Sequence, residues 1–567
     1  MRFLKAIFPI IVVAVLSFWA VKHVALPGFF PMHDDTQVVR VHEMTKSLKD
    51  GMFPVRWVSG LGYGYGYPIF NFYAPLSYYV GSAIELLGFD ALSATKIMMG
   101  FGILLSGVFM YLLGKEFWGK LGGVVSALFY VYVPFHAVDI YVRGDVAEFW
   151  AYAFIPLAFF GIYKVFQTKG DFKWVVIGGL GYAGIILSHN LTAMMVTPFI
   201  LIIILLYFYI ALKRKELYAI RYPLYALALG LSLSAFYFIP ALAEQKYTNV
   251  LSQIGGGAHF DDHFVCLPQL WQSQWGFGGS TPGCADGLSF MIGKLHIFAS
   301  FLMLGLVLVS LLFKKIAKKE EKLLIAVLCA LGLLVSILLM LSISNFLWKT
   351  VPLMAFFQYP WRFLLLASFF SSLLAGSLLW FAKILIKNDL VEWLLTGLLI
   401  LLVILNGIKF FIPQTILNKM SEDYVSAENI RWTTSKISDE YLPKNFQKPQ
   451  NVGDVANERI IFNPQDIKIN KKIEKAQIIT LDLNSAKETN LYFNIAHFPS
   501  WKLTVDGSVK GNMVGNGYGV SLAPGHHMVS MKFEETPIEK LSNFISVVGL
   551  VVVLVGIIRI KKKQNYG

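Results

Sequence analysis

The sequence predicts a polytopic α-helical membrane protein of about twelve spans with a C-terminal β-sandwich, and three observations carry that reading. Of its 567 residues 56% are hydrophobic, and apolar runs of roughly 17–25 residues, the length of a bilayer core, recur along most of the chain. The short basic connections between those runs all fall on one side if each run crosses once. One long stretch, 413–540, breaks the pattern and alternates apolar with polar positions instead.

The net charge is +14. The basic residues cluster at the ends of the apolar runs, so topology and the lipid bilayer explain the charge, and no nucleic-acid partner is expected. The first run, from about Ile7, follows Arg2 and Lys5 without a small-residue cleavage site, and reads as a retained signal anchor. Further spans begin near Ile97, Leu121, Ala147, Trp174, Leu191, Tyr222, Leu295, Leu323, Arg362, Leu390 and Leu541. With the N-terminus cytoplasmic, Lys115 and Lys120, Lys164 to Lys173, Lys213 to Arg221, Lys314 to Lys319, Lys387 and the basic tail 559–563 all fall inside. The expectation is a multi-pass plasma-membrane protein with both termini cytoplasmic.

That topology puts a long first loop, 27–96, outside. Residues 34–50 carry apolar positions at helical spacing and read as an amphipathic helix on the membrane surface. The Gly/Tyr-rich run with Tyr63 and Tyr65, followed by Tyr73, offers rings suited to the headgroup layer and backbone able to approach a ligand. The piece 76–87 is too short to span and reads as re-entrant or interfacial. Cys266 and Cys284 share one outer loop, where a disulfide is chemically permitted; Cys329 lies inside a span and reads as packing. From about Ala476 onward short alternating runs are punctuated by Asp506-Gly507, Asn516-Gly517 and Pro524-Gly525, the pattern of an antiparallel sandwich. The chain divides into 1–412 (transmembrane), 413–540 (extracytoplasmic β-sandwich) and 541–567 (final span and tail).

Candidate chemistry gathers at the outer edge. Asp34 and Asp35 stand side by side past the first span, where paired acids resist desolvation and a proton or cation gives them a use. The second outer turn holds Asp139, Arg143, Asp145 and Glu148 between two spans, the third holds His189, and the fourth holds Arg362. For each a plain alternative stands: a polar hairpin tip for His189, an interface anchor for Arg362.

The motifs HDDTQVVRVHEMTKSLKDGMFPVRW, YPIFNFYAPLSYYVG, YVRGDVAEF, LSHNLTA and FQYPWRFL resemble the GT-C membrane glycosyltransferases, in the branch of pyruvoyl-tetrahydropterin-synthase-related membrane proteins. FPSWKLTVDG and GYGVSLAPGHHMVSMKF resemble the terminal β-domain of YfhO-type membrane proteins. The resemblance covers nearly the whole chain and implies a GT-C-like fold and transfer of a hexosyl or pentosyl unit from a polyprenyl-phosphate donor to an extracytoplasmic acceptor. It implies Asp34 and Asp35 as base and partner or metal ligand, Asp35, Asp145 and Glu148 as ligands of a divalent metal (Mg or Mn), and Arg143 in the site. Related branches carry a Lys-Pro-Pro element for the donor phosphate; this chain has Phe72-Tyr73-Ala74-Pro75, which moves that contact to Arg143 or Arg362, with His189, Tyr63, Tyr65 and Tyr73 as further substrate contacts.

Two other functions fit the composition. A lipid-linked sugar transporter would show internal repeats and midplane charges, which the sequence lacks. A non-catalytic envelope scaffold would keep the fold without the chemistry. Release of polyprenyl phosphate from a lipid-linked sugar separates the enzyme from both.

Overall fold

A computed structural model describes residues 2–215, 221–250, 259–312 and 321–565. Lys314, Lys315, Lys318 and Lys319 of the expected basic loop lie outside the described residues. Among those described, eight helices are long and apolar enough to cross a membrane, or nine when the bent pair Ile7–Leu16 and Phe18–Ala25 counts as one span. Two shorter apolar helices, Phe172–Ser188 and Lys294–Ser310, stand beside them.

The count falls below the expected twelve partly because two expected spans form one run, Ala91–Val131. That run is not straight. At Gly119 the backbone turns to φ +84°, a conformation glycine reaches without a Cβ clash. Beyond it the chain folds back: a Cβ on Gly123 would meet the Lys115 backbone nitrogen at 2.7 Å, and one on Gly114 would meet Ser126 Cβ at 2.9 Å. Glycines let the two arms approach to backbone contact, as in other close helix pairs within membranes.

Residues 37–49 form the expected helix, Gln37–Lys49, but it does not lie on a surface. Gln37, Val38, Val39, Arg40, Val41, Glu43, Met44, Thr45 and Ser47 are all buried. The helix packs on Leu76–Leu86 and on the Ala91–Val131 run, so its polar as well as its apolar side is covered, and its charges must find partners. Leu76–Leu86 is eleven residues long, too short to span.

Nine strands follow in the described polar region: β1 (Ile460–Ile461), β2 (Ile467–Lys475), β3 (Ile478–Ser485), β4 (Thr489–Phe493), β5 (Trp501–Val505), β6 (Ser508–Val509), β7 (Asn512–Val514), β8 (Gly517–Leu522) and β9 (Gly525–Phe533). They make two antiparallel sheets, ordered β1-β4-β8-β7 and β2-β3-β9-β5-β6. Leu481, Leu483 and Val529 from one sheet and Leu491, Phe493 and Val520 from the other share a single apolar core, so the sheets face each other as a sandwich. β3 shows the alternation that produces this, with Ile479, Leu481 and Leu483 inward.

The sandwich is plugged by the first long loop. Trp57 is fully buried in its core, with ring centroids 5.4 Å from Trp501 and 6.0 Å from Phe533. The neighbouring Arg56 bonds Asn71 Oδ1 at 2.8 Å and Asn543 Oδ1 at 2.9 Å, tying that loop to the final helix, Pro537–Asn565. The loop that holds the acid pair is thus anchored at both the bundle and the sandwich.

Candidate active site

The acid pair is stitched to the second polar turn through backbone. His33 N donates to Val142 O at 3.1 Å and Asp34 N to Arg143 O at 2.9 Å. Gln37 Nε2 then spans the two segments, donating to Asp34 O and, at 2.8 Å, to Gly144 O. Phe29 pairs with Leu417 upstream of the acids. Segments more than a hundred residues apart are held in register by these bonds, which sequence spacing does not encode.

The turn itself gathers three carboxylates around one guanidinium. A π-helical turn, Val138–Arg143, places Asp139 and Arg143 against each other. Gly144 follows at φ +66°, and a Cβ there would collide with Met32 Sδ of the acid loop. Asp145 caps the helix Val146–Gln167, its Oδ1 accepting from Glu148 N at 3.0 Å. Arg143 meets Asp139, Asp145 Oδ2 at 2.7 Å and Glu148 Oε2 at 2.9 Å, with its guanidinium 4.8 Å from the Trp361 ring centroid. Arg362 reaches the same Glu148 Oε2 at 2.8 Å.

Acids outnumber arginines here. Asp139, Asp145, Glu148 and the adjacent Asp34 face Arg143 and Arg362, while Asp139 Oδ2, Glu148 Oε1 and Arg362 Nε are buried with no hydrogen-bond partner among the described residues. Burying uncompensated charge is costly, so such a group is either neutralised by protonation or completed by a ligand.

A cavity of about 1420 Å³ opens onto this cluster. Its polar end is lined by Asp34, Thr36, Arg40, Asp145, His189 and Arg362. From there it runs between the spans Asn190–Arg214, Glu321–Met340 and Pro360–Ile386, lined by Met194, Phe199, Ile203, Val335 and Phe370 among others. Asn190 and Tyr207, both on its wall, are separated along their helix by about 26 Å at the α-helical rise of about 1.5 Å per residue.

The two acids of the pair part company. Asp34 lines the cavity; Asp35 does not. Burial and then the Asp145 charge raise the Asp34 carboxyl above its ordinary value, against the pull of Arg40, Arg143 and Arg362. Burial also raises Asp35, opposed by Lys419 on a different segment. Asp145 goes the other way: burial alone would raise it, but Arg143, His189 and Arg362 hold it below the usual carboxylate range.

The remaining expected contacts divide similarly. Tyr73 lines the cavity. Tyr63 bonds Asp439 Oδ2 at 3.1 Å and stacks on Phe446, and Tyr65 packs edge-on to Phe446, so neither is among the cavity-lining residues. Cys266 and Cys284 form a disulfide with Cα atoms 5.6 Å apart. Its loop reaches the site, Ser280 accepting from Trp361 Nε1 at 3.1 Å and His33 Nε2 pairing with Phe277 O at 2.9 Å. Cys329 is buried, as packing predicts, and also touches the cavity.

Arg40 and Glu440 line the cavity without a signal in the sequence, and Gln358 of the fourth outer turn lines it too. Arg40 sits inside the HDDTQVVR motif, where one arginine in a helix carries no signal of its own. Gln358 sits at φ +63°, ψ −46°, with Tyr359 N donating to Phe357 O at 2.6 Å, a strained γ-turn of the kind that persists where surroundings hold it.

Three side chains at the polar end offer the donors a divalent cation needs. One ligand atom each from Asp145, Glu148 and His189 lie within 4.8 Å of one another; Asp35 is not in the group. Glu148 Oε1 has no partner, and burial keeps His189 below its ordinary pKa, against Asp145 and Glu148, in the neutral form that ligates metals. Two carboxylates and an imidazole suit a divalent ion of the Mg–Mn–Zn range, so the residues fit.

Residues 70–257 match one family. It is the 6-pyruvoyl-tetrahydropterin synthase related domain, membrane protein, in agreement over that stretch with the motifs read from the sequence. A Lactococcus lactis subsp. cremoris (strain MG1363) protein, described as an uncharacterized protein, is 26% identical over 215 residues, covering 36% of this chain and 34% of its own length. The matched region is therefore about a third of that relative. Among solved structures, the Archaeoglobus fulgidus oligosaccharyltransferase in the apo form aligns with TM-score 0.47 and 13% identity, over 81% of this chain and 62% of its own. ArnT from Cupriavidus metallidurans bound to undecaprenyl phosphate gives 0.33 and 11%, over 76% of each chain, and arabinosyltransferase EmbB from Mycobacterium smegmatis 0.37 and 10%, over 93% and 63%.

Proposed function

We propose that this protein is a membrane glycosyltransferase that moves a sugar from a polyprenyl-phosphate-linked donor to an extracytoplasmic acceptor, with inversion at the anomeric carbon. The observation that carries the proposal is the cavity: a charged head with a carboxylate and a guanidinium on its wall, continuous with a long apolar groove between spans. A phosphate with a polyisoprenoid tail has that shape and polarity.

The chemistry needs two groups. Asp34 accepts the acceptor hydroxyl proton as that oxygen bonds to the anomeric carbon, and its raised affinity for protons suits a base. The bond from that carbon to the phosphate oxygen breaks, its electron pair leaving with the phosphate. Arg362 neutralises the charge that builds there, by a planar fork suited to phosphate oxygens. Arg143, engaged by three carboxylates, holds Asp145 and Glu148 in place. Asp145, Glu148 and His189 would hold a divalent cation, which when bound supplies further neutralisation of the leaving phosphate.

The same helices support an orientation. Val146–Gln167 begins at Asp145 and carries Lys164 in its last turn; Asn190–Arg214 begins at His189 and ends in Lys213 and Arg214; Pro360–Ile386 carries Arg362 at its start and Lys383 near its end. Basic residues at the far ends support a site facing away from the cytoplasm.

The experiment is release of polyprenyl phosphate from a radiolabelled lipid-linked sugar by purified protein in nanodiscs. Wild type releases it, and Asp34→Asn loses about 10²–10⁴-fold in rate. Wild-type turnover by Asp34→Asn removes the base; absence of release by wild type with a panel of lipid-linked sugars removes the function.

A further inference from the structure

Beside the polar end of the cavity four side chains form a patch in which a carboxylate and two tyrosine rings, groups that phosphate and isoprenoid do not call for, surround Arg40. Arg40 and Tyr73 come from the first loop; Glu440 and Tyr441 come from the segment that leads into the β-sandwich. All four line the cavity. Arg40 is 4% exposed, with its guanidinium 4.2 Å from the Tyr73 ring centroid. Its Nη2 donates to Ser438 Oγ at 2.8 Å and its Nη1 to Tyr78 OH at 3.3 Å, while Nε has no partner.

Glu440 faces this guanidinium at 3.9 Å, beyond hydrogen-bond reach, so each of the two groups keeps capacity for a third molecule. Tyr441 stands edge-on to Tyr73 with centroids 6.4 Å apart, and its own orientation is set by stacking on Phe72 at 5.6 Å. The two rings thus hold fixed positions with little side-chain entropy left to lose on binding.

We infer that Arg40, Glu440, Tyr73 and Tyr441 form a saccharide subsite. A pyranose or furanose ring offers adjacent hydroxyls that both donate and accept, on a scaffold with an apolar C–H face. A carboxylate accepts from two such hydroxyls, a guanidinium donates to their oxygens, and the tyrosine ring faces not taken by Arg40 and Phe72 cover the C–H side. The subsite rests on the glycosyl-transfer reading only for whether the sugar held belongs to acceptor or donor. Because half of it comes from the segment joining bundle to sandwich, the sandwich's docking through Trp57 also sets the subsite's shape.

The plain alternative is a latch in which the four side chains merely fasten that segment to the helix Gln37–Lys49. Saturation-transfer NMR on the full chain in nanodiscs, free of sugar detergents, separates the two. The probes are methyl glycosides of glucose, galactose, mannose and N-acetylglucosamine, with glycerol as the non-sugar control. A saccharide subsite binds at least one glycoside and not glycerol, and both the shape-preserving Glu440→Gln and Tyr441→Ala weaken that binding by about tenfold or more. Glycoside binding equal in wild type and both variants, or no glycoside bound by wild type, overturns the inference. Unchanged thermal melting of Glu440→Gln shows that any loss is not unfolding. Binding that depends on Glu440 in a protein that releases no polyprenyl phosphate leaves this inference standing and removes the proposed function. If transfer occurs, a rise in acceptor KM assigns the subsite to the acceptor, and a rise in donor KM to the donor.

Discussion

Among the described residues, the buried charges around Arg143 meet the cavity and those around Arg56 do not. Around Arg143, four acids face two arginines, and Asp34, Asp145 and Arg362 line the open space. Around Arg56, the partners are Asn71, Asn543 and Glu539, with Glu244 accepting from Asn71 Nδ2 and Thr536 Oγ1, both at 2.6 Å. None of these six residues lines the cavity. The unbonded atoms of the second cluster, Arg56 Nε and Glu539 Oε1, face each other at 3.6 Å. Those of the first are left over after every ion pair is made. Burial of charge therefore does not by itself separate the two clusters; what separates them is that the first keeps unbonded atoms after its ion pairs are made and puts Asp34, Asp145 and Arg362 on the cavity wall.

That contrast can be broken at several points. The largest effect expected is on rate in the first cluster, where Asp34→Asn lowers sugar transfer by about 10²–10⁴-fold and leaves thermal unfolding in nanodiscs near wild type. The second cluster should respond in the opposite sense. Arg56→Ala strands Glu539 without its cation and lowers stability by about 3–5 kcal/mol, read as a fall in the thermal midpoint. Rate loss without destabilisation in Arg56→Ala would erase the distinction.

A smaller and sharper effect concerns pH. The Asp34 carboxyl is raised above its ordinary value of 3.8 by burial and Asp145, against Arg40, Arg143 and Arg362. The base form is lost as pH falls, so the acid limb of kcat/KM is displaced upward from the ordinary aspartate value and vanishes from the residual rate of Asp34→Asn. The stability sign is the reverse: folding favours the protonated form, so this contribution is present below the unfolded value and lost as pH rises through the folded one. The smallest effect belongs to Asp35→Asn. Asp35 faces Lys419 instead of the cavity, so its loss should lower transfer less than that of Asp34; equal losses would return both acids to the site.

Much of this was legible in residue order. The helical bundle, the strands at 478–485, 501–505 and 517–522, and the outer turns that bring Asp34, Arg143, Asp145, Glu148, His189 and Arg362 together are foreshadowed by where polar residues interrupt apolar runs. The surface placement of residues 34–50 did not hold. Helical spacing gives a helix, but whether its second face meets water or protein depends on elements packed from elsewhere, here Leu76–Leu86 and the Ala91–Val131 run. The Gly/Tyr run allows close approach, and in the fold the rings of Tyr63 and Tyr65 pack on Phe446, a partner nearly four hundred positions away that spacing does not encode.

By itself the sequence determined that the chain crosses a bilayer many times, that a β-sandwich is carried near its end, and which turns hold charge. Those are sums of local preferences: transfer of each residue from water, and the period at which apolar positions repeat. Tertiary structure alone decided that Asp34 lines the cavity while Asp35 does not, that Arg143 is locked while Arg362 reaches the cavity, and that Arg40 meets Glu440 four hundred positions away. Electrostatic and hydrogen-bonding energies depend on distances of a few ångströms in space, and neighbours in sequence share no such rule.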